Sequence, residues 1–353
     1  MKKYLIVGFA FVLALSIGCE KTKLKKEQQG LVVQQSSAVR FAGYKNTVLW
    51  QGSPAEVDEY LRNPKYWDMK VGIYKFKPLS EAPVLKLGDG FKGKFELGKV
   101  ALNAKFVMVN YKPGQEIWYL VNLENRLFVV LRFNLKESQK HTKVAVTGNS
   151  DISTGMGELL EVINLPEMLA KLVDGEVVKG QAHFDPTVNI EEALGSGNLG
   201  EFYESLLQQY QGSILINASL KKVNEYLVKP ECWELFKSKY GIELSNCFIK
   251  GEPGPCPVKI SLMGADYEFN TFTADYKYTD HMTSYGVLGQ LICRFQIATK
   301  TEGSNTRLYL TFATELPSSV SSDAGDMFMS IMQLPKFLEQ LLVNTKTAVE
   351  GAV

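Results

Sequence analysis

Histidine is scarce in this chain. Only His141, His183 and His281 occur in 353 residues, and they lie far apart. None stands at a ligand spacing and no CxxC pair accompanies them, so no metal site and no cofactor pattern can be read. Excess charge of one sign is missing as well. Lys+Arg number 39 and Asp+Glu 38. A balance of +1 supplies nothing to hold a phosphate backbone, which argues against a nucleic-acid partner. No Ser/His/Asp or Cys/His arrangement can be assembled, and no carboxylate pair stands out. No apolar run reaches the roughly 20 residues that span a bilayer. A chain that is 45% hydrophobic and 22% charged is an ordinary globular one, and its length suits two domains.

What is present begins with an address. Lys2 and Lys3 precede the apolar stretch from Tyr4 to Ile17, which is followed by Gly18 and Cys19. This segment resembles a bacterial lipoprotein signal, in which the Cys is lipidated and becomes the new N-terminus. Ser16 departs from the Leu usual at that position. The resemblance implies a signal peptide over 1–18, lipidation of Cys19 and a membrane partner reached through that anchor. Glu20 resembles the residue of outer-membrane sorting, so the expected place is the bacterial cell envelope, on the periplasmic face of the outer membrane. Ordinary secretory cleavage and an uncleaved anchor are the alternatives. Loss of Lys2 and Lys3 moves the balance from +1 to −1. Residues 19–43 are polar and read as the lipidated Cys with a flexible tether.

The remainder is a tandem repeat. Residues 44–67 and 210–233 align without a gap at a shift of 166, with nine identities in 24, including Tyr60/Tyr226, Pro64/Pro230 and Trp67/Trp233. Arg132-Phe133 recurs as Arg294-Phe295, and Leu165-Pro166 recurs as Leu334-Pro335. The reading is domain 1 over 44–180, a linker over 181–209 and domain 2 over 210–353.

Each copy shows the same order of elements. A short apolar strand (Thr47–Trp50; Ser213–Ile216) leads to a capping serine, Ser53 or Ser219. Pro54 and Glu56 complete a capping-box pattern in the first copy. The helix that follows ends before Pro64 or Pro230. Strand periodicity then sets Leu127, Val129, Leu131, Phe133 and Leu135 on one face. A helical stripe closes each copy, with the Leu-Pro pair kinking it or starting a new helix. Arg132 and Arg294 lie opposite the apolar strand face and read as solvent-facing, or alternatively as cavity groups meeting an anion. Gly88-Asp-Gly90-Phe-Lys-Gly93 fits G-x-G-x-x-G, but a strand follows it, so it reads as a plain turn. Gly195–Gly200 also fits, with a helix-like EFYESLLQQY after it, and reads as an inter-domain linker.

The VDEYLRNPKYW and VNEYLVKPECW helices, the GDGFKGKFEL and YKPGQEIWYL strand-turn-strand pieces and the Leu-Pro terminal helices carry a resemblance to the START/Bet v1-like (SRPBCC, helix-grip) superfamily. It implies an α+β fold of two tandem helix-grip domains, each a curved antiparallel sheet wrapped around a long C-terminal helix. The enclosed apolar cavity would take a lipid or another hydrophobic small molecule. The candidate lining is Trp67, Leu131, Phe133, Leu160, Ile163, Met168, Trp233, Phe295, Phe328, Ile331, Met332 and Phe337. The two Trp residues, which could rim a cavity mouth, read more readily as packed anchors, and the Met-rich stripe as an adaptable wall or as core filler.

Setting Cys19 aside, four cysteines remain, and an exported setting allows them three pairings. Cys247 and Cys256 flank a Pro/Gly loop and are the first candidates for a disulfide, while Cys293 reads as a buried thiol. Three functions are open: a non-enzymatic lipid-binding lipoprotein, a cyclase or hydrolase using the same cavity, and an envelope interaction protein. No cofactor is implied, and no protein partner can be named.

Overall fold

In the computed structural model the described residues are 31–71, 74–79, 83–97, 100–124, 127–151, 165–195, 199–249, 255–262, 265–277, 281–288, 291–316 and 334–351. They build an α+β fold of two helix-grip copies. In copy 1, strand β1 (Val32–Trp50) is followed by helix α1 (Pro54–Arg62) and a 3-10 turn (Pro64–Tyr66). Strands β2 (Met69–Val71), β3 (Tyr74–Pro78), β4 (Gly90–Leu97), β5 (Val100–Lys112), β6 (Glu116–Leu123), β7 (Leu127–Ser138) and β8 (His141–Asp151) come next. The long helix α2 (Leu165–Phe184) closes the copy, and the short helix α3 (Ile190–Gly195) leads onward.

Copy 2 runs through β9 (Glu201–Ile216), α4 (Leu220–Leu227), α5 (Pro230–Tyr240), β10 (Ile242–Leu244) and α6 (Asn246–Ile249). Then come β11 (Pro255–Leu262), β12 (Ala265–Lys277), β13 (His281–Leu288), β14 (Leu291–Glu302), β15 (Asn305–Leu316) and the long helix α7 (Leu334–Gly351). Strands β4 to β6 recur as β11 to β13 at a shift of 165, so the repeat extends well beyond the segments that align by identity.

Local chemistry places the short helices. The Ser53 hydroxyl accepts from the Glu56 amide while the Glu56 carboxylate accepts from the Ser53 amide at 2.8 Å, a capping box with Pro54 behind it. Such a cap stabilises by about 1 kcal/mol. Ser219 caps α4 alone, through the Lys222 amide. Trp67 and Trp233 donate from Nε1 to the carbonyls of Leu61 and Leu227, at 3.0 and 2.8 Å. The same anchor thus fastens the first helix in both copies. The Leu-Pro pairs stand in the first turns of α2 and α7, where a missing amide hydrogen costs nothing.

The two half-sheets are continuous. Fifteen strands pair in the order β10-β11-β12-β13-β14-β15-β9-β1-β8-β7-β6-β5-β4-β3-β2, every ladder antiparallel. The join is β1 with β9, running from Val32 opposite Ser213 to Lys45 opposite Glu201. Residues 32–43 are therefore strand and not tether, and the helix-like 201–210 is strand as well. Their polar composition hid this, because pairing between copies rests on backbone hydrogen bonds rather than on an apolar alternation. The linker of 181–209 shortens likewise, since α2 runs to Phe184 and β9 starts at Glu201.

Each copy has its own core between sheet and long helix. A third apolar cluster joins Val109, Trp118, Leu120, Phe128 and Val130 of copy 1 to Phe272 and Tyr285 of copy 2, with the Phe128 and Tyr285 rings 5.2 Å apart. The outer faces of the half-sheets are thus partly covered by each other. Arg294, only 3% exposed, is buried on such a face, where its Nη2 donates to Gln209 at 2.9 Å. Arg132 is half-buried with its guanidinium 4.8 Å over the Trp118 ring. The alternation placed both off the core correctly, but solvent is not what they meet.

Candidate functional site

Aromatic packing fills the interior of copy 1. Trp67 touches Phe91, Phe106, Tyr119 and Phe133 at 5.0 to 5.9 Å, and Phe76 lies 5.0 Å from Phe106. Edge-to-face pairs of this kind each add about 0.5–1.5 kcal/mol beyond area burial. Leu131, Phe133 and Met168 belong to the same core, while Phe295 and Phe337 pack with Trp233 in the core of copy 2. Of the candidate lining residues, the structure brings Trp67 together with Phe133, and Trp233 with Phe295 (6.2 Å). Leu160, Ile163, Phe328, Ile331, Met332 and Cys19 lie outside the described residues.

A group that sequence reading missed adjoins this interior. On α2, Glu176, Lys179 and His183 follow one another at spacings of three and four, so they share a helix face. Opposite them α1 presents Tyr60, and the 3-10 turn presents Tyr66. The Tyr60 and Tyr66 rings stack at 4.9 Å, and the His183 imidazole lies 4.7 and 4.8 Å from them. His183 is therefore part of α2 and of this cluster rather than of a linker.

The electrostatics are unusual for a structural cluster. Glu176 is 2% exposed, and its one recorded partner is Lys179 Nζ at 3.8 Å, too far for a hydrogen bond. Burial raises the carboxyl's pKa, and Lys179 offsets part of that. Tyr60 is 3% exposed, and its hydroxyl has no hydrogen-bond partner among the described residues. Burial, then the nearby Glu176 and Tyr66, hold that phenol above its usual range. His183 is shifted downward by burial, then by Lys65 and Lys179, which keeps it neutral. A buried donor left unpaired costs about 1–3 kcal/mol.

Two neighbouring nodes show what structural polar groups look like here. Asp58 accepts from Arg62 Nε at 2.8 Å, from the Tyr111 hydroxyl at 3.1 Å and from the Gly114 amide at 3.1 Å. Asp174 accepts from the Tyr44 hydroxyl at 2.7 Å, Asn46 Nδ2 at 2.8 Å and the Leu199 amide at 3.0 Å. Each carboxylate fastens separate elements, and each is amply paired. Glu176, Lys179 and Tyr60 fasten nothing comparable.

Copy 2 keeps the place but not the chemistry. Tyr226 matches Tyr60, while Cys232, Thr345, Ala348 and Ala352 stand for Tyr66, Glu176, Lys179 and His183. Cys232 Sγ lies 3.8 Å from Thr345 Oγ1, so the matching positions meet. Burial pushes the Cys232 thiol up to about 12 and the Cys293 thiol up to about 11, which leaves both protonated. Cys232 and Cys293 are free, and Cys256 is disulfide-bonded. The side chain of Cys247 lies outside the described residues. Among the described residues no group of three or more His, Cys, Asp or Glu could hold a metal ion.

No family model and no curated protein matches the chain. Solved structures with a related path include the di-domain ARO/CYC StfQ from the steffimycin biosynthetic pathway. It is 8% identical over 87% of this chain and 98% of its own, with a TM-score of 0.34. BexL, the di-domain ARO/CYC from the BE-7585A biosynthetic pathway, is 10% identical over 88% and 99%, with a TM-score of 0.32. CV1439 from Chromobacterium violaceum is 12% identical over 41% and 97%, with a TM-score of 0.34.

Proposed function

We propose that this chain is a lipoprotein of the bacterial envelope, moored through Cys19 to the periplasmic face of the outer membrane, that binds or carries a lipid or other hydrophobic small molecule. In this reading the ligand's apolar part packs against the aromatic interior of copy 1, beside Trp67, Leu131, Phe133 and Met168. Kinship with the START-like superfamily is part of the same reading, as is a Cys247–Cys256 disulfide. The observation that carries it is the cluster of Tyr60, Glu176 and Lys179. Tyr60 and Glu176 are buried and Lys179 half-buried at the edge of an aromatic interior, they lack the pairing that a structural role would give them, and copy 2 has lost two of the three. An apolar wall with a few convergent polar groups is what a small-molecule site requires. Tyr60 and Lys179 are donors, so the ligand's polar end carries an acceptor oxygen.

Titration of the purified chain with N-phenyl-1-naphthylamine, followed by displacement with oleate, tests this. One saturable site per chain is expected. Lys179→Met weakens oleate about tenfold or more, the scale of a lost charge-assisted hydrogen bond, and Thr345→Val leaves it unchanged. Absence of saturable uptake by folded protein would overturn the reading. Conversion of the ligand, by a cyclase or hydrolase reaction, is the second reading. It is favoured by Glu176, whose raised pKa suits proton transfer. Its mark is a released molecule that differs in mass from the one taken up.

A further inference from the structure

Charge is balanced over the whole chain but not within it. Residues 62–114 hold eleven Lys and Arg against four Asp and Glu, a surplus of seven positive charges. The matching residues 228–280 of copy 2 hold six against eight, a deficit of two.

The strand registers show where the surplus goes. Phe76, Phe91, Phe95 and Phe106 point into the core, so the alternate residues of β3, β4 and β5 share the outer face. There Lys70 stands opposite Lys75, Lys77 opposite Lys94, and Lys92 opposite Lys105. All are exposed except Lys105, which is half-buried. The recorded counter-charge on that face is Glu96, 3.7 Å from Lys94. Like charges directly across a ladder destabilise a sheet, yet three such pairs are kept side by side.

Copy 2 supplies an internal control. Lys259 occupies the position of Lys94, but its cross-strand neighbours are Glu243 and Glu268 where Lys94 has Lys77 and Asn103. The Lys92–Lys105 pair is replaced by Pro257 opposite Asn270. Lysines do guard sheet edges against aggregation. That accounts for Lys70 on the edge strand β2, but not for Lys92, Lys94 and Lys105, which lie two and three strands inward.

We propose that this lysine face of β2 to β5 docks on an anionic lipid bilayer. An exposed sheet face carrying six lysines matches the negative surface of such a membrane in sign, and each lysine near the surface strengthens partitioning about fivefold. Such a contact would fix how copy 1 sits on the membrane. The inference does not depend on a ligand inside either copy.

Flotation of the purified full chain with phosphatidylcholine vesicles, and with phosphatidylcholine–phosphatidylglycerol vesicles, tests it. The ratio of binding to anionic over neutral vesicles isolates the face from any contribution of the N-terminal segment. A ratio well above one that falls with added salt is expected. Lys77→Glu with Lys94→Glu, which reverses the charge of one cross-strand pair, lowers it about tenfold or more. Lys92→Asn with Lys105→Asn lowers it independently, and Lys259→Gln leaves it unchanged. Equal binding to both vesicles, a ratio that survives both double variants, or a preference for double-stranded DNA over anionic vesicles would overturn the proposal.

Discussion

The Trp50 indole packs against α2 at Gly180, so close that a Cβ there would fall inside the ring's van der Waals surface, and its Nε1 donates to the Val177 carbonyl at 3.1 Å. In copy 2 the matching residues are Ile216 and Val349, both buried. A large side chain on the strand faces none on the helix in one copy, and two buried side chains of middle size hold those positions in the other. The strand–helix contact thus conserves volume rather than residue type.

That exchange predicts strong coupling. Trp50→Ile leaves a cavity and costs about 2–4 kcal/mol, and Gly180→Val overpacks and costs about 1–3 kcal/mol. Combined, the two should lose less than the sum by about 1 kcal/mol or more in chemical denaturation of the three variants. Simple additivity would show that the contact is not shared between the copies.

Tyr60→Phe removes only a buried hydroxyl that has no recorded partner. Stability should stay level or rise by up to about 1 kcal/mol, while oleate affinity falls severalfold. A loss of more than about 1 kcal/mol in urea unfolding would reveal a structural partner for the hydroxyl and remove it from the site.

Glu176 imposes a pH dependence of definite sign. Its pKa is raised in the folded chain by burial, above the ordinary 4.5. The folded state therefore binds the proton more tightly than the unfolded state. The stabilisation is complete below pH 4.5 and is lost as pH rises through the raised value. Glu176→Gln should be the more stable protein at pH 7, with the gap in melting temperature closing toward pH 4. A variant less stable than the native chain at pH 7 would show that the carboxylate is needed in its charged form.

Asp174 is the opposite case. It holds Tyr44, Asn46 and the Leu199 amide, and Gly200 in turn donates to the Tyr44 hydroxyl at 2.6 Å, so one carboxylate links α2, β1 and the start of β9. Asp174→Ala strands three donors, two of them buried, and should cost about 3–5 kcal/mol. Denaturant midpoints with two probes, one in each copy, would move together. A fall below about 1 kcal/mol would mean that the join relies on the β1–β9 ladder alone.

Much of this was legible before any coordinates. Tyr60/Tyr226, Trp67/Trp233 and the Leu-Pro pairs announced a doubled domain because they sit at anchors whose geometry both copies keep. The capping box at Ser53 and the apolar face through Leu131 and Phe133 were equally plain, since short-range periodicity writes them directly. The β1–β9 join was not, because residues 32–43 earn their pairing from a strand more than 150 residues away. Arg294 was misplaced for a related reason: its face is covered by the other copy. Glu176 and Lys179 looked like ordinary helix-surface residues, and only the packing of α1 against α2 buries them beside Tyr60. The lysine ladder was invisible as a face because Lys70, Lys77, Lys94 and Lys105 meet only through strand register.

Native mass spectrometry of the full chain, purified gently, tests the central claim most directly. The account predicts a polypeptide carrying one non-covalent apolar molecule, retained by Thr345→Val and depleted by Tyr60→Phe combined with Lys179→Met. A folded chain that carries no such molecule, and takes up none when offered oleate, would contradict it.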